Sequence, residues 1–313
     1  MNIAIIGAGG VGGYFGACLV KAGFEVTFVA RGEHLQAIQR DGIFVKSIHG
    51  DFATGPVRAT DRITGLANPD LLIVCVKAWQ INGIRDDIAK IIHPGSIILP
   101  LQNGISAADE LSAATGRSFV LGGLCRIISK IESPGIIHHI GIEPYIVFGE
   151  LDRSQSERLI ILKKVFEQAK ISCRVSDDIE ADLWKKFIAI CVSGLLAVAR
   201  ANYGEIRTIP ETREMMISLL QEVYDLAIRI GVHIEDDFVA KTVAFIDTYP
   251  TDSTSSLTRN VWDGKPSEIE YQNGTVVRLA LQYGVDVPVN RFVYHCILPM
   301  EQRARLMTAR STG

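Results

Sequence analysis

The first 31 residues, MNIAIIGAGGVGGYFGACLVKAGFEVTFVAR, restrict the fold more than any other stretch of the chain. Asn2-Ile3-Ala4-Ile5-Ile6 is a short apolar run, rich in β-branched residues, that suits a strand buried on both faces. It leads into Gly7-Ala8-Gly9-Gly10-Val11-Gly12, which matches G-x-G-x-x-G. Gly7 permits a tight turn, Gly9 lets backbone approach a pyrophosphate, and Gly12 lets the next helix pack closely on the strand. A helix over residues 11–22 would offer its N-terminal amides and the positive end of its dipole to phosphates. Gly23 ends that helix, and residues 25–30 read as a second strand. An ordinary strand-to-helix turn can carry the same glycines, but the strand before them, the helix after them and the βαβ spacing define a dinucleotide site.

The end of the second strand says which dinucleotide. An NAD site of this type usually carries Asp or Glu about 20 residues past the glycines, where it accepts from the ribose hydroxyls. Ala30-Arg31 stands there instead. A guanidinium pairs with a 2′-phosphate in fork geometry, whereas a carboxylate would repel it. The expected cofactor is therefore NADP(H), read by Arg31. The alternative leaves Arg31 in solvent and makes Glu33 a displaced acidic partner for NAD.

The alternation continues downstream. Residues 71–77, LLIVCVK, form another buried-strand run ending in Lys77, residues 78–92 read as a helix, and SIILPL at 96–101 is a strand ending in Gln102-Asn103-Gly104. Strand and helix in turn imply a parallel sheet with right-handed crossovers, whose ligands bind beyond the carboxyl ends of the strands. Gly7, Arg31, Lys77 and Asn103 all fall at that edge. Singly, Lys77 could be a snorkelling lysine and Asn103-Gly104 a common turn dipeptide, so their convergence is the stronger signal. Residues 124–150 become β-rich around Ser133-Pro134-Gly135 and Gly141, which suggests antiparallel hairpins appended to the parallel sheet. A helix near 154–168 and a strand at 171–175 follow, and Ser176-Asp177-Asp178 makes a polar break. The predicted organisation is an α/β Rossmann-type dinucleotide-binding domain over 1–177 and an all-α substrate domain over 178–313. Helices are expected there at 179–200, 210–230, 236–248, 255–262, 267–283 and 289–309.

Composition narrows the function. With 313 residues, 48% hydrophobic and 21% charged, the chain is that of a globular protein with ample core. A net charge of −3 argues against nucleic acid as the partner and leaves a small molecule. The six cysteines are scattered without C-x-x-C spacing, so neither a disulfide framework nor a metal site is expected. The first apolar run has no basic region ahead of it and is too short for a signal peptide or membrane span, which places the protein in the cytoplasm. The apolar C-terminal helices could pack on their own domain or on a second copy, so a homodimer stays open.

In the helix at 179–200, Leu183, Phe187, Ile190, Cys191 and Gly194 make one apolar stripe. At about 100° per residue, Lys186 lies about 60° from Leu183 and Lys185 about 160° away. Lys185 is therefore expected to face water and Lys186 to border the packed face, either snorkelling or held as a general acid. Ser267-Glu268-Ile269-Glu270 fits S-x-x-E, with Ser267 as N-cap and Glu270 closing a capping box. Glu268 is left over, as a first-turn carboxylate favoured by the helix dipole or as a functional group. Thr254-Ser255-Ser256 reads as another helix start.

Together these residues resemble the ketopantoate reductases (2-dehydropantoate 2-reductases). The resemblance rests on GAGGVGG, Arg31, Val76-Lys77-Ala78-Trp79-Gln80, Gln102-Asn103-Gly104, Leu183-Trp184-Lys185-Lys186, Ser255-Ser256, and Glu268-Ile269 followed by Asn273-Gly274, and it runs to about residue 301. It implies NADPH-dependent reduction of ketopantoate to pantoate, in the cleft between the domains, on the way to pantothenate and coenzyme A. By the same resemblance Lys186 gives the proton to the carbonyl oxygen, Glu268 holds the substrate hydroxyl and Ser256 its carboxylate. Asn103 contacts cofactor and substrate, and Lys77 lies beside the nicotinamide ribose. One departure bears on the substrate: family members often carry asparagines one and two turns after the lysine, where this chain has Ile190 and Gly194. A hydroxyl-bearing substrate depends on such partners, so a reductase of another 2-oxo acid is the second expectation. A non-catalytic NADP(H)-binding sensor is the third, opposed by the retention of Lys186 and Glu268.

Overall fold

The computed structural model describes residues 1–311. In chain order the first elements are β1 (Asn2–Ile6), α1 (Gly10–Lys21), β2 (Glu25–Val29), α2 (Gly32–Asp41), β3 (Phe44–Ser47), β4 (Phe52–Ala53) and β5 (Arg58–Thr60). Next come β6 (Leu71–Val74), α3 (Arg85–Ala89), β7 (Ile97–Pro100), α4 (Ala107–Thr115), β8 (Gly122–Arg126), β9 (Ser129–Ser133), β10 (Ile136–His139), β11 (Tyr145–Gly149), α5 (Glu157–Gln168) and β12 (Ser172–Val175). The remainder is helical: α6 (Ile179–Ala199), α7 (Tyr203–Thr208), α8 (Pro210–Ile230), α9 (Phe238–Asp247), α10 (Ser256–Trp262), α11 (Asn273–Tyr283) and α12 (Pro288–Ser311). Two compact units result, Met1–Gln102 with Ser106–Glu180, and Asn103–Ile105 with Ala181–Gly313. None of the described helices is long and apolar enough to cross a membrane.

The first unit is built on a parallel sheet of order β5-β2-β1-β6-β7. The strands β1, β6 and β7 read as near-continuous apolar runs because both their faces are covered. Along β1 the side chains alternate, Ile3 and Ile5 joining a core with Phe15, Phe28 and Phe148, Ala4 and Ile6 joining another with Leu72, Val74 and Leu111. The hairpins expected on this sheet lie elsewhere. β9 and β10 belong to a four-stranded sheet of order β4-β3-β10-β9, and β8 pairs antiparallel with β11 in a third sheet, β12-β11-β8. On the outer edge of β7, Ile98 makes an isolated parallel bridge with Val120, and Pro100, two residues on, has no N–H to continue it.

The helix expected over residues 78–92 is also broken. Ala78–Gly83 is a 3-10 segment, with Gln80 N–H bonded to Lys77 O at 2.8 Å, and α3 spans only Arg85–Ala89. The Gln80 side chain folds back to accept the Lys77 N–H at 2.9 Å, which favours the tighter turn. α2 and α7 lie outside the helices and strands expected above. α7 is short but has a complete capping box, Glu205 N–H to Asn202 at 2.9 Å and Asn202 N–H to Glu205 at 2.8 Å. The second unit packs its helices around Trp184, Phe187, Cys191, Leu219 and Val293.

Candidate functional site

The glycine-rich turn has the shape its sequence demands. Gly7 sits at φ +100°, and a Cβ there would lie 2.8 Å from Val76 N. At Gly12 a Cβ would meet Gly7 O at 2.1 Å, so only glycine lets α1 approach the turn this closely. Gly9 is different: nothing lies within 4 Å of where its Cβ would be. Gly9 is the N-cap of α1 and no side chain caps the helix. First-turn amides beside open space, at the positive end of a helix, suit a pyrophosphate. Ala8, Gly10 and Val11 complete the turn, and the Gly7 and Ala8 amides both donate to Val29 O at 3.1 Å, fixing it to β2.

Arg31 follows β2 as the exposed N-cap of α2, and Glu33 is exposed in the first turn of that helix. Lys77 is exposed just past β6. At the end of the next strand, β7, Gln102, 5% exposed, donates to Val74 O at 2.9 Å and Val76 O at 3.0 Å. Its amide fixes the backbone that carries Lys77, a role that no local pattern announces.

In the second unit the Asn103-Gly104 turn packs against the segment carrying Glu268. Asn103 Nδ2 donates to Glu268 Oε2 at 3.2 Å, and Gly104 has φ +99°, with a Cβ there falling 2.8 Å from Tyr271 O. The turn is therefore both a conformational and a close-approach glycine site. Glu268 is 4% exposed, a buried carboxylate that requires donors.

The helix expected to start at Ser267 does not form there. Residues Ile269–Tyr271 make a single 3-10 turn and α11 begins at Asn273. Ser267 is buried and satisfied by α12 instead: its N–H and Oγ reach Glu301 Oε2 at 2.9 and 2.6 Å, while Arg305 Nε pairs with Glu301 at 2.7 Å. Glu270 closes no capping box. Its carboxylate accepts from Tyr294 OH at 2.8 Å and from Arg278 Nη1 at 3.1 Å. Burial, reinforced by the bond to Glu270, pushes the Tyr294 hydroxyl up to about 12. Tertiary partners on α11 and α12 outcompete the local S-x-x-E geometry. Helix α10 does start as expected, with Ser255 Oγ accepting from Thr258 N–H at 3.0 Å and Ser256 exposed at its first position.

Along α6 the packed face runs through Trp184, Phe187, Ile188 and Cys191, and Leu183 is only half-buried. This rotates the face from the expected stripe and alters the reading of both lysines. Lys185 is only partly in water: its Nζ lies 2.5 Å from Glu235 and over the Phe238 ring. The ion pair holds the Glu235 carboxyl below its ordinary range. Lys186 is half-buried on the face that also carries Ile190 and Gly194 at i+4 and i+8. At Gly194 a Cβ would lie 2.5 Å from Asn273 Oδ1 and 2.6 Å from Val293 Cγ1. Asn273 is fully buried and donates to Cys191 O at 3.1 Å and Asn290 Oδ1 at 2.9 Å. The residue at 194 is thus fixed by helix packing, a contact 79 positions distant in sequence that no local signal reveals.

A parallel α/β unit with a glycine-rich turn at the carboxyl edge, followed by an all-helical unit, is the architecture of a nicotinamide-dinucleotide-dependent oxidoreductase. Family models described as ketopantoate reductase PanE/ApbA and its C-terminal domain match residues 3–153 and 178–301. The chain belongs to the ketopantoate reductase family. It is 29% identical to the uncharacterised oxidoreductase YkpB of Bacillus subtilis, over 94% of this chain and 97% of that one. It is also 29% identical to a 2-dehydropantoate 2-reductase of Nostoc sp., over 96% of each. A crystal structure of a PanE/ApbA family ketopantoate reductase from Ralstonia eutropha superposes with TM-score 0.89 at 27% identity, covering 97% of this chain and 100% of that one.

Proposed function

We propose that the protein is an NADPH-dependent 2-oxo-acid reductase, with 2-dehydropantoate as the leading substrate and pantoate, a precursor of pantothenate and coenzyme A, as product. The observation that carries this is Glu268. Its bland explanation is a place in the first turn of a helix, yet that helix starts five residues later, at Asn273. What is left is a buried carboxylate joined to the Asn103 amide, on a segment anchored by Ser267 and Glu301.

In this reading the amides of residues Gly7 to Gly12 hold the pyrophosphate, Arg31 the 2′-phosphate, and Lys77 the nicotinamide ribose. The open space at Gly9 fits that group. Bound NADPH supplies the hydride to the carbonyl carbon. Lys186 donates a proton to the carbonyl oxygen, giving the alcohol. Glu268 accepts from the substrate hydroxyl, Ser256 donates to its carboxylate, and Asn103 orients cofactor and substrate. Positioning and one proton are all the chain must contribute. A soluble cytoplasmic enzyme, free or as a homodimer, fits this role.

The test is NADPH consumption with a panel of 2-oxo acids, wild type against Lys186→Ala. Loss of turnover by roughly 10²–10⁴ with NADPH affinity retained supports the reading; an unchanged rate refutes it. A second reading, a reductase of a bulky and less polar 2-oxo acid, is favoured by Ile190 and Gly194, neither of which offers a side-chain hydrogen bond to a substrate hydroxyl. It predicts a higher kcat/KM for such an acid than for ketopantoate.

A further inference from the structure

His34 lies in the first turn of α2, three residues after Arg31, and its imidazole is used at both nitrogens. The Gly135 N–H donates to Nδ1 at 3.0 Å. Because a backbone amide can only donate, Nδ1 carries the lone pair and Nε2 carries the proton. Nε2–H therefore donates to the Ala8 carbonyl, at 2.7 Å. One neutral ring thus joins the glycine-rich turn, the start of α2, and the tip of the β9–β10 hairpin, where Gly135 sits at φ +79°.

The hairpin also packs on the start of α1 at two points. A Cβ on Gly10 would meet Ser129 O at 2.5 Å, and one on Gly13 would meet Ile137 Cδ1 at 2.7 Å. These packing contacts hold α1, whereas Ala8, in the turn itself, is held by the hydrogen bond. The peptide that carries the Ala8 carbonyl also carries the Gly9 amide. Turning that carbonyl toward His34 orients the Gly9 N–H, in the turn whose Gly9 position is open.

We propose that His34 is a positioning residue of the dinucleotide site, which sets the Ala8–Gly9 peptide for phosphate before the cofactor arrives. The proposal rests on the reading in which the glycine-rich turn holds the pyrophosphate. A turn already held in its binding conformation avoids the ordering cost on association. His34 serves the pyrophosphate, common to both cofactors, and Arg31 serves the 2′-phosphate, present in one.

The experiment is titration of NADPH and NADH against wild type, His34→Leu, His34→Asn, His34→Gln and Arg31→Ala, with thermal melts of each. His34→Leu is expected to raise Kd for both dinucleotides by a similar factor, about tenfold, leaving their ratio unchanged. Glutamine places an amide donor near the position of Nε2 and should recover most of the affinity. Asparagine places an acceptor near Nδ1 alone and should not recover it, even if its melting temperature matches that of the glutamine variant. A purely structural His34 would move the melts and leave Kd alone, and that result overturns the proposal. So does an effect confined to NADPH, or asparagine rescuing as well as glutamine. If the wild type binds neither dinucleotide, the cofactor reading itself has failed.

Discussion

Gly194→Ala tests whether residue 194 belongs to the packing of α6 or to a substrate pocket. In an open helix interior this substitution stabilises by roughly 0.5–1 kcal/mol, because alanine loses less backbone freedom. Here the new methyl would lie 2.5 Å from Asn273 Oδ1 and 2.6 Å from Val293 Cγ1, distances at which an atom must move. Asn273 is not a flexible chain end, since its Nδ2 is tied to Cys191 O and to Asn290, and Asn290 Nδ2 bonds Leu219 O at 3.1 Å. Overpacking costs about 1–3 kcal/mol, and a displaced buried amide about 1–3 more, so the net loss is about 3 kcal/mol after the propensity gain. Chemical denaturation with a two-state fit measures it, provided that the slope is unchanged. The double variant Gly194→Ala/Asn273→Ala should cost less than the sum of the singles by about 1 kcal/mol, because removing the amide relieves the clash. A stabilised Gly194→Ala, or strict additivity, would refute the contact. Either result would reopen position 194 as a pocket position able to accept a polar side chain.

Other outcomes follow from the same geometry. Arg31→Ala should weaken NADPH by about 1.5–3 kcal/mol with NADH nearly unaffected, by titration; equal affinities of the unmutated protein for both cofactors would point to Glu33 instead. Glu268→Gln should raise KM for the oxo acid with the melt little changed, whereas Glu270→Ala should lower stability by about 1–3 kcal/mol, because it leaves Tyr294 OH without its acceptor. Reversal of that pattern would exchange the two roles. The Lys185–Glu235 pair depresses the Glu235 carboxyl below its ordinary 4.5, so its stabilisation is present above that pH and fades as the pH falls through the lowered value. Lys185→Met should remove that part of the acid dependence, a small one for an exposed pair, and a melt series unchanged between the two proteins would discount it.

How much could be read in advance depended on the range of the forces involved. The glycine-rich turn, the parallel strands and long helices such as α6, α8 and α12 were legible because their determinants are local: β-branched runs, a 3.6-residue period, a proline at a first turn and glycines at the ends. Gly7 and Gly12 are demanded by φ and by contacts within a few residues or a neighbouring strand, and the motif itself encodes those. The segment after Pro266 failed the same treatment. Its S-x-x-E pattern has the chemistry of a cap, yet Ser267 gains a buried carboxylate on α12 and Glu270 gains Tyr294 and Arg278, stronger partners than one orphan amide. Likewise the period of α6 was visible, but its rotation was not. Lys185 turned to Glu235 because α9 and its approach pass beside it. Sequence alone determined which chemical groups are present and which helices and strands carry them. Only the tertiary structure decided which of those groups meet, as Asn103 meets Glu268 across 165 residues, because burial and hydrogen bonding between distant segments outweigh the small local preferences that a sequence displays.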